Sequence, residues 1–317
     1  MIVFSGVNIN SVYLEALSVI RSKALTTSDS RAGKVFDLGP AFFEFTEPRN
    51  QFLTLRKRNY NPYFAMVEAS WILSGSNNLD CLKKIISNYD KYSDDGHSLN
   101  GAYGYRIQEY FQQNQLDSVV NLLTQDPSSR RAVITMFCPD DLINNSSRDI
   151  PCNISICFKI RNSKLDITII NRSNDIFLGI PYNVFVFNLV QRHVAEKLGI
   201  NIGVQRHFTD SLHLYERDFK KTDEIIAANT PEEISEWQNL PCPDYIYESI
   251  LKEPTAIANM SLEDISCIKT RRVFSNYLKC KAQVSSLDFL QGISYDDQFE
   301  ISSKLWTESK TPTTLEI

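Results

Sequence analysis

The hydrophobic period of this chain changes at Arg131, and that change excludes most architectures. Before it the apolar residues recur at helical spacing. Val12, Leu14, Leu17 and Ile20 line one side of residues 9 to 25. A second apolar run opens at Pro62, a residue suited to a first helical turn, continues through Leu73 and stops at Gly75; Glu68 is its only charge. Residues 79 to 92 read as another helix, and residues 26 to 34 as a polar, turn-rich loop. After Arg131 the spacing is that of strands: Ala132 to Phe137 is β-branched and apolar, Ile154 to Ile160 alternates, and Leu165 to Ile170 alternates again beyond a tight Asn162-Ser163-Lys164 turn. Val184 to Leu198 returns to a helix ending at Gly199, and Gly203 to Tyr215 reads as one further strand. Helices followed by adjacent antiparallel strands make an α+β chain. Past Thr222 the pattern weakens and is punctuated by Pro231, Pro241, Pro243 and Pro254. The expected division is therefore a core over 1–222, with 223–317 as the C-terminal part of the same domain, carrying a divergent extension.

Charge and cysteine usage narrow the function classes. With 33 Lys+Arg against 38 Asp+Glu the net charge is −5, so no global basic field attracts nucleic acid and any anion site must be a local cluster. No apolar run reaches the length of a membrane span, and the first ten residues lack the charged start of a signal peptide. The seven cysteines are scattered without a CxxC pair, as in a reducing compartment. A cytoplasmic location is expected, with no membrane or nucleic-acid partner.

Four segments look unlike scaffold. Asp126-Pro-Ser-Ser-Arg-Arg places Arg130 and Arg131 at the mouth of a strand; Ile150-Pro-Cys-Asn puts Cys152 between a proline and a strand. Asn171-Arg-Ser-Asn-Asp-Ile-Phe-Leu-Gly-Ile-Pro-Tyr-Asn closes one strand and opens a helix, and Ser211-Leu-His-Leu-Tyr-Glu-Arg-Asp ends another. A thiol needs cationic neighbours to become a nucleophilic thiolate near neutral pH, and Arg130, Arg131 and Arg172 could supply them. Guanidinium groups grip phosphate through paired donors. Cys81, Cys138, Cys157, Cys242, Cys267 and Cys280 read as packed thiols. His213 and Tyr215, two apart on a strand, share a face. Asn183 offers a donor and an acceptor to the edge of a base, and Glu68 on its apolar helix should have a raised pKa suited to proton transfer.

Together with Glu68-Ala-Ser-Trp-Ile-Leu-Ser-Gly-Ser-Asn-Asn and Gly101-Ala-Tyr-Gly-Tyr-Arg, these segments resemble the thymidylate synthase family in order and spacing, over about Arg31 to Asp218. The resemblance implies an antiparallel or mixed sheet with flanking helices. It implies a pyrimidine nucleoside monophosphate substrate, 5,10-methylenetetrahydrofolate as co-substrate, no metal, and a homodimer that lends arginines across its interface. Cys152 would add to C6 of the base so that C5 can take a one-carbon unit. Arg31, Arg130, Arg131, Arg172 and Ser173 would hold the phosphate, Asn183 the base, and His213 with Tyr215 the sugar hydroxyl. Glu68 would be the general acid and base, Tyr103 part of its water network, and Asp175 a contact to the pterin.

The departures from the family pattern fall on one side of that site. Asn153 stands where the family has histidine, Asn171 where it has glutamine, and Phe137-Cys138 replaces a Trp-Asn pair. Tyr89 replaces a tryptophan that packs on the folate, and Thr311 to Ile317 does not resemble the closing tail. Positions for phosphate, sugar and ring are kept while those for the reductive step are altered. The favoured outcome is 5-hydroxymethylation of a (deoxy)uridylate or cytidylate. Reductive methylation by a thymidylate synthase, and a nucleotide-binding homologue without turnover, are the alternatives; Cys152 and Glu68 argue against the latter, since neither is needed merely to bind.

Overall fold

The computed structural model describes residues 1–23, 26–30, 32–143, 146–238, 240–282 and 296–310. Its strands are β1 (Ile2–Gly6), β2 (Thr26–Ser30), β3 (Gly33–Asp37), β4 (Ala41–Phe45), β5 (Val133–Thr135), β6 (Asn153–Arg161), β7 (Lys164–Asn171), β8 (Asn174–Asp175), β9 (Asn201–Thr209) and β10 (Leu212–Tyr215). They form a six-stranded sheet in the order β1-β4-β9-β7-β6-β5 and a four-stranded sheet in the order β2-β3-β10-β8. The β5, β6 and β7 strands pair antiparallel as their alternation predicts, while β7 and β9 run parallel, so the large sheet is mixed. This is an α+β fold.

The two faces of the large sheet differ. Ile156, Phe158, Ile167, Ile169 and Phe43 are fully or almost fully buried on one face, beneath the long Gly179–Leu198 helix. That helix packs in turn on the Pro62–Leu73 helix, whose residues are buried all round apart from a part-exposed Glu68. On the opposite face Val3, Phe42, Arg206, Thr168, Ile170, Ser155, Cys157 and Val133 remain part-exposed or exposed. Helices after Phe219 add Ile246, Ile250, Phe274 and Phe299 to the same core cluster as Phe52 and Tyr63.

Several elements differ from the sequence expectation. The polar 26–34 stretch is a hairpin of β2 and β3, turning at Gly33 with φ +116°. All five residues of β2 are exposed, so no buried face imprints a period on them. Arg31 itself lies outside the described residues, as do 311–317. The helix read over 79–92 is broken: only Asp80–Lys83 is α-helical, and bonds of the i→i−3 type, Ile85 N to Leu82 O and Tyr89 N to Ile86 O, tighten the rest. Ala132 to Phe137 yields only the three residues of β5. Gly203 to Tyr215 is two strands, because the chain leaves the large sheet at Thr209, turns through Asp210 and Ser211, and joins the small sheet as β10. β1, β4 and the Gln115–Gln125 helix are elements beyond those expected from the sequence.

Candidate active site

Cys152 sits at the end of a loop tied down on both sides. Arg172 donates from Nε to the Pro151 carbonyl at 3.1 Å and from Nη2 to the Ile150 carbonyl at 3.1 Å, while its own backbone N–H bonds Cys152 O at 3.0 Å. Ser173 Oγ, 3.4 Å from Arg172 Nη1, points its hydroxyl at Cys152 Sγ across 3.8 Å. These contacts follow from β6 and β7 being neighbours. The pairing of Asn153 with Asn171 sets the residues flanking each strand end, Cys152 and Arg172, side by side. Asp149 fixes the other flank, accepting from Gly101 N at 2.9 Å, and burial raises its carboxyl to about 6. A Cβ on Gly101 would stand 2.6 Å from that carboxylate and would push it aside, so glycine lets the two loops meet closely.

Gly101 leads into Tyr103, the first residue of the Tyr103–Gln108 helix, and Gly104 presses this helix so closely on the end of the Pro62–Leu73 helix that a Cβ would lie 2.1 Å from Ile72 O. Tyr103 is thereby brought into the electrostatic range of Cys152, Glu68 and Arg172; burial is the main reason its hydroxyl holds its proton more tightly than usual. Its ring stacks on Phe187 at 5.9 Å. Glu68 accepts a 3.4 Å hydrogen bond from Tyr89 OH. Burial pushes the Glu68 carboxyl up to about 7 against the opposing effect of that bond, so it can both give and take a proton near neutrality. Tyr89 packs against Phe64 and Tyr92, with ring centroids 6.0 and 5.3 Å away.

The small sheet supplies the third wall. β10 pairs with β8 so that His213 stands opposite Asp175, and with β3 so that Tyr215 stands opposite Val35. His213 and Tyr215 meet edge to face at 5.4 Å. Asp175 Oδ1 accepts from Phe177 N at 2.7 Å and Leu178 N at 3.2 Å; burial raises its pKa, and the nearby His213 works against the rise. Asn183, on the first turns of the long helix, donates from Nδ2 to Asn174 Oδ1 at 3.4 Å. Gly179 makes room for that pair, since a Cβ there would be 2.2 Å from Asn174 Oδ1.

Cys152, Arg172 and Ser173 thus come together, with Tyr103 bridging towards Glu68. Arg130 and Arg131 do not join them within the chain: both are exposed at the entrance to β5, and their side chains make no hydrogen bond to another described residue. Asp149 and Asn174 carry site geometry that the sequence reading passed over. Their signal was position alone, three residues before Cys152 and immediately before Asp175, with no pattern to mark them. Among the described residues no group of three or more His, Cys, Asp or Glu could hold a metal ion, and no described helix is long and apolar enough to cross a membrane.

Residues 11–266 match the family model described as thymidylate synthase. The chain is similar to a deoxyuridylate hydroxymethyltransferase of Bacillus phage SP01, 34% identical over 239 residues covering 71% of this chain and 62% of that protein. It is also similar to deoxyuridylate hydroxymethyltransferases of Pseudomonas phage M6, 32% identical over 63% of this chain and 59% of the relative, and of Delftia phage PhiW-14, 31% identical over 59% and 55%. The matches therefore span roughly three fifths of the relatives' own length, as the coverages of 62%, 59% and 55% show. The extent of the family match, with a thiol, an arginine and a serine meeting where its motifs converge, establishes that the chain belongs to the thymidylate synthase family.

Proposed function

We propose that the chain hydroxymethylates C5 of deoxyuridylate, with Cys152 as the nucleophile that adds to C6. The observation that carries this reading is the contact of Ser173 and the Arg172-anchored loop with the Cys152 thiol, opposite a carboxyl poised near pH 7. The names of the relatives support the base and the product. Arg172 and Ser173 bind the nucleotide phosphate. Asn183, whose Nδ2 already donates to Asn174, keeps its Oδ1 for the N3–H of uracil and its second amide hydrogen for O4. His213 and Tyr215 bind the sugar hydroxyl.

The site also suits a folate. Tyr89, Tyr92 and Phe64 give a planar ring an aromatic wall, and Asp175 uses only Oδ1 for its backbone bonds among the described residues, leaving Oδ2 for a pterin donor. Methylenetetrahydrofolate would supply the one-carbon unit. Glu68 then moves protons at the base, with Tyr103 ordering water beside it.

A homodimer completes the phosphate site. The open face of the large sheet offers Val3, Phe42, Ile170 and Val133 to a second copy, and the exposed Arg130 and Arg131 stand at its β5 edge. Incubation with deoxyuridylate and methylenetetrahydrofolate tests the reaction: a 5-hydroxymethyl product without dihydrofolate is expected, whereas one dihydrofolate per methylated product would identify a thymidylate synthase. Mixing inactive Cys152→Ala and Arg131→Ala chains tests the shared site, since one site of each heterodimer regains both residues. No recovery despite proven subunit exchange would refute it.

A further inference from the structure

The strand that follows Cys152 contains one residue too many. The pairing of β6 with β7 shifts register between Asn153 and Ser155, so that Ile154 is left as a bulge. Without it, alternation outward from Ile156 and Phe158, both on the buried face, would put Asn153 on the open face beside Ser155 and Cys157. The bulge turns it inward instead. Asn153 is 0% exposed and faces Asn171, 1% exposed, across the ladder and on the same face as Ile169 and Ile167.

Two buried amides there carry four polar atoms, Oδ1 and Nδ2 of each residue, and none makes a hydrogen bond of normal geometry to another described residue. Such groups cost stability unless something satisfies them, and the two donors and two acceptors that face each other across one ladder match the needs of a water molecule. Their surroundings are chemical as well as polar. The Tyr103 hydroxyl interacts with the Asn153 amide and also feels the charges of Cys152 and Glu68, so Tyr103 links the pair to both groups.

We propose that Asn153 and Asn171 position the water that becomes the hydroxyl of the product, an inference that rests on the hydroxymethylase reading. In this step the nucleotide carries an exocyclic methylene at C5 and is bonded through C6 to Cys152. The water oxygen bonds to the methylene carbon and its proton goes to the Glu68 carboxylate. The electron pair of the methylene double bond moves into the ring as an enolate, which then re-forms the C5=C6 double bond and expels the Cys152 thiolate. No oxidant or reductant is consumed.

The test uses deoxyuridylate labelled with tritium at C5, whose release reports that the one-carbon unit has been joined and the C5 proton lost. Hydroxymethyl product per tritium released measures what happens afterwards. In Asn153→Leu and Asn171→Leu this ratio is expected to fall about tenfold or more, with the methylene diverted to an added small thiol. The double variant Asn153→Leu/Asn171→Leu is expected to melt at a higher temperature than the parent, because two buried amides without a hydrogen bond of normal geometry inside the protein are replaced by apolar groups of similar shape. Asn153→Asp, which keeps the shape but changes the donors, covers the case of a leucine variant that fails to fold, and its ratio is expected to fall as well. Ratios within about twofold of the parent in the folded variants would overturn the proposal. If the parent itself yields methylated product with dihydrofolate, the hydroxymethylase reading has failed instead, and that is seen before any variant is compared.

Discussion

The surroundings of Cys152 and of Glu68, two walls of the site, are built on opposite principles. Around Cys152 the polar groups are largely engaged: Arg172 spans two backbone carbonyls, Ser173 reaches the thiol, and Asp149 pins the neighbouring loop. Around Glu68 much is left open. The carboxyl has one long hydrogen bond to Tyr89, and beneath the Cys152 loop the buried Asn153 and Asn171 amides are the exception on the other wall, lacking normal partners among the described residues. On the proposed reading Cys152 is the nucleophile and Arg172 with Ser173 the anion site, and such groups must be in place before the substrate arrives, so the backbone fixes their geometry. Groups that exchange protons or hold water must remain available, and the fold accepts unsatisfied polarity there.

The largest expected effect lies on the fixed wall. Cys152→Ala should lower turnover by roughly four orders of magnitude or more, because no other group can take over the addition to C6. Mass spectrometry after treatment with 5-fluorodeoxyuridylate and methylenetetrahydrofolate should locate the parent's adduct on Cys152. An adduct on Cys138 or Cys157 would break the distinction between the walls.

Glu68→Gln probes the open wall and should cost about a thousandfold in kcat, within the usual range for a general acid-base group. It should also abolish an inflection near pH 7 in the parent's rate profile, since the Glu68 carboxyl titrates at about 7. The stability consequence has a definite sign. A carboxyl raised from 4.5 unfolded to about 7 folded stabilises the fold most fully at pH values below its unfolded pKa, and that contribution is lost as pH rises through about 7. Relative to the parent, Glu68→Gln should therefore gain in Tm as the pH is taken from roughly 5 to roughly 8. A constant difference across that range would show that the carboxyl is not desolvated.

Arg172→Lys keeps the charge but cannot span Ile150 and Pro151, so KM for the nucleotide should rise about ten- to a hundredfold and the Cys152 adduct should form more slowly. If lysine serves equally well, the wall needs only a charge. The smallest effect is expected from Tyr89→Phe. Its hydrogen bond opposes the rise in the Glu68 pKa, so removing it should move the inflection upward while changing the rate by only about two- to fivefold. A downward movement would mean that Tyr89 acts on Glu68 by some route other than this bond.

Much of this could be read from the chain, and what could not has physical causes. The alternation of Ile154 to Ile160 and Leu165 to Ile170 is a one-dimensional record of a sheet with one buried face, and it returns as β6 and β7. The apolar run from Pro62 to Leu73 returns as a helix whose cap, Asn61, accepts from Tyr63 N and Phe64 N. The exposed β2 strand left no such record, because solvent on both faces imposes no period. The break after Thr209 was equally silent, since changing sheets alters the partner of a strand without altering its alternation.

The sequence by itself determined which chemical groups the protein has to work with and which ends of strands they occupy: a thiol after Pro151, a carboxyl alone on an apolar helix, and an arginine and serine closing β7. Tertiary structure alone decided their distances and environments. Pairing of β6 with β7 brings Ser173, 21 residues on in the chain, to the Cys152 thiol. Packing of Gly104 on Ile72 brings Tyr103 within electrostatic range of Cys152 and Glu68, and a single bulged residue turns Asn153 from one face of a sheet to the other. Local pattern encodes which face of an element is buried, whereas contact between elements depends on register and close approach, which are settled only when the whole core packs.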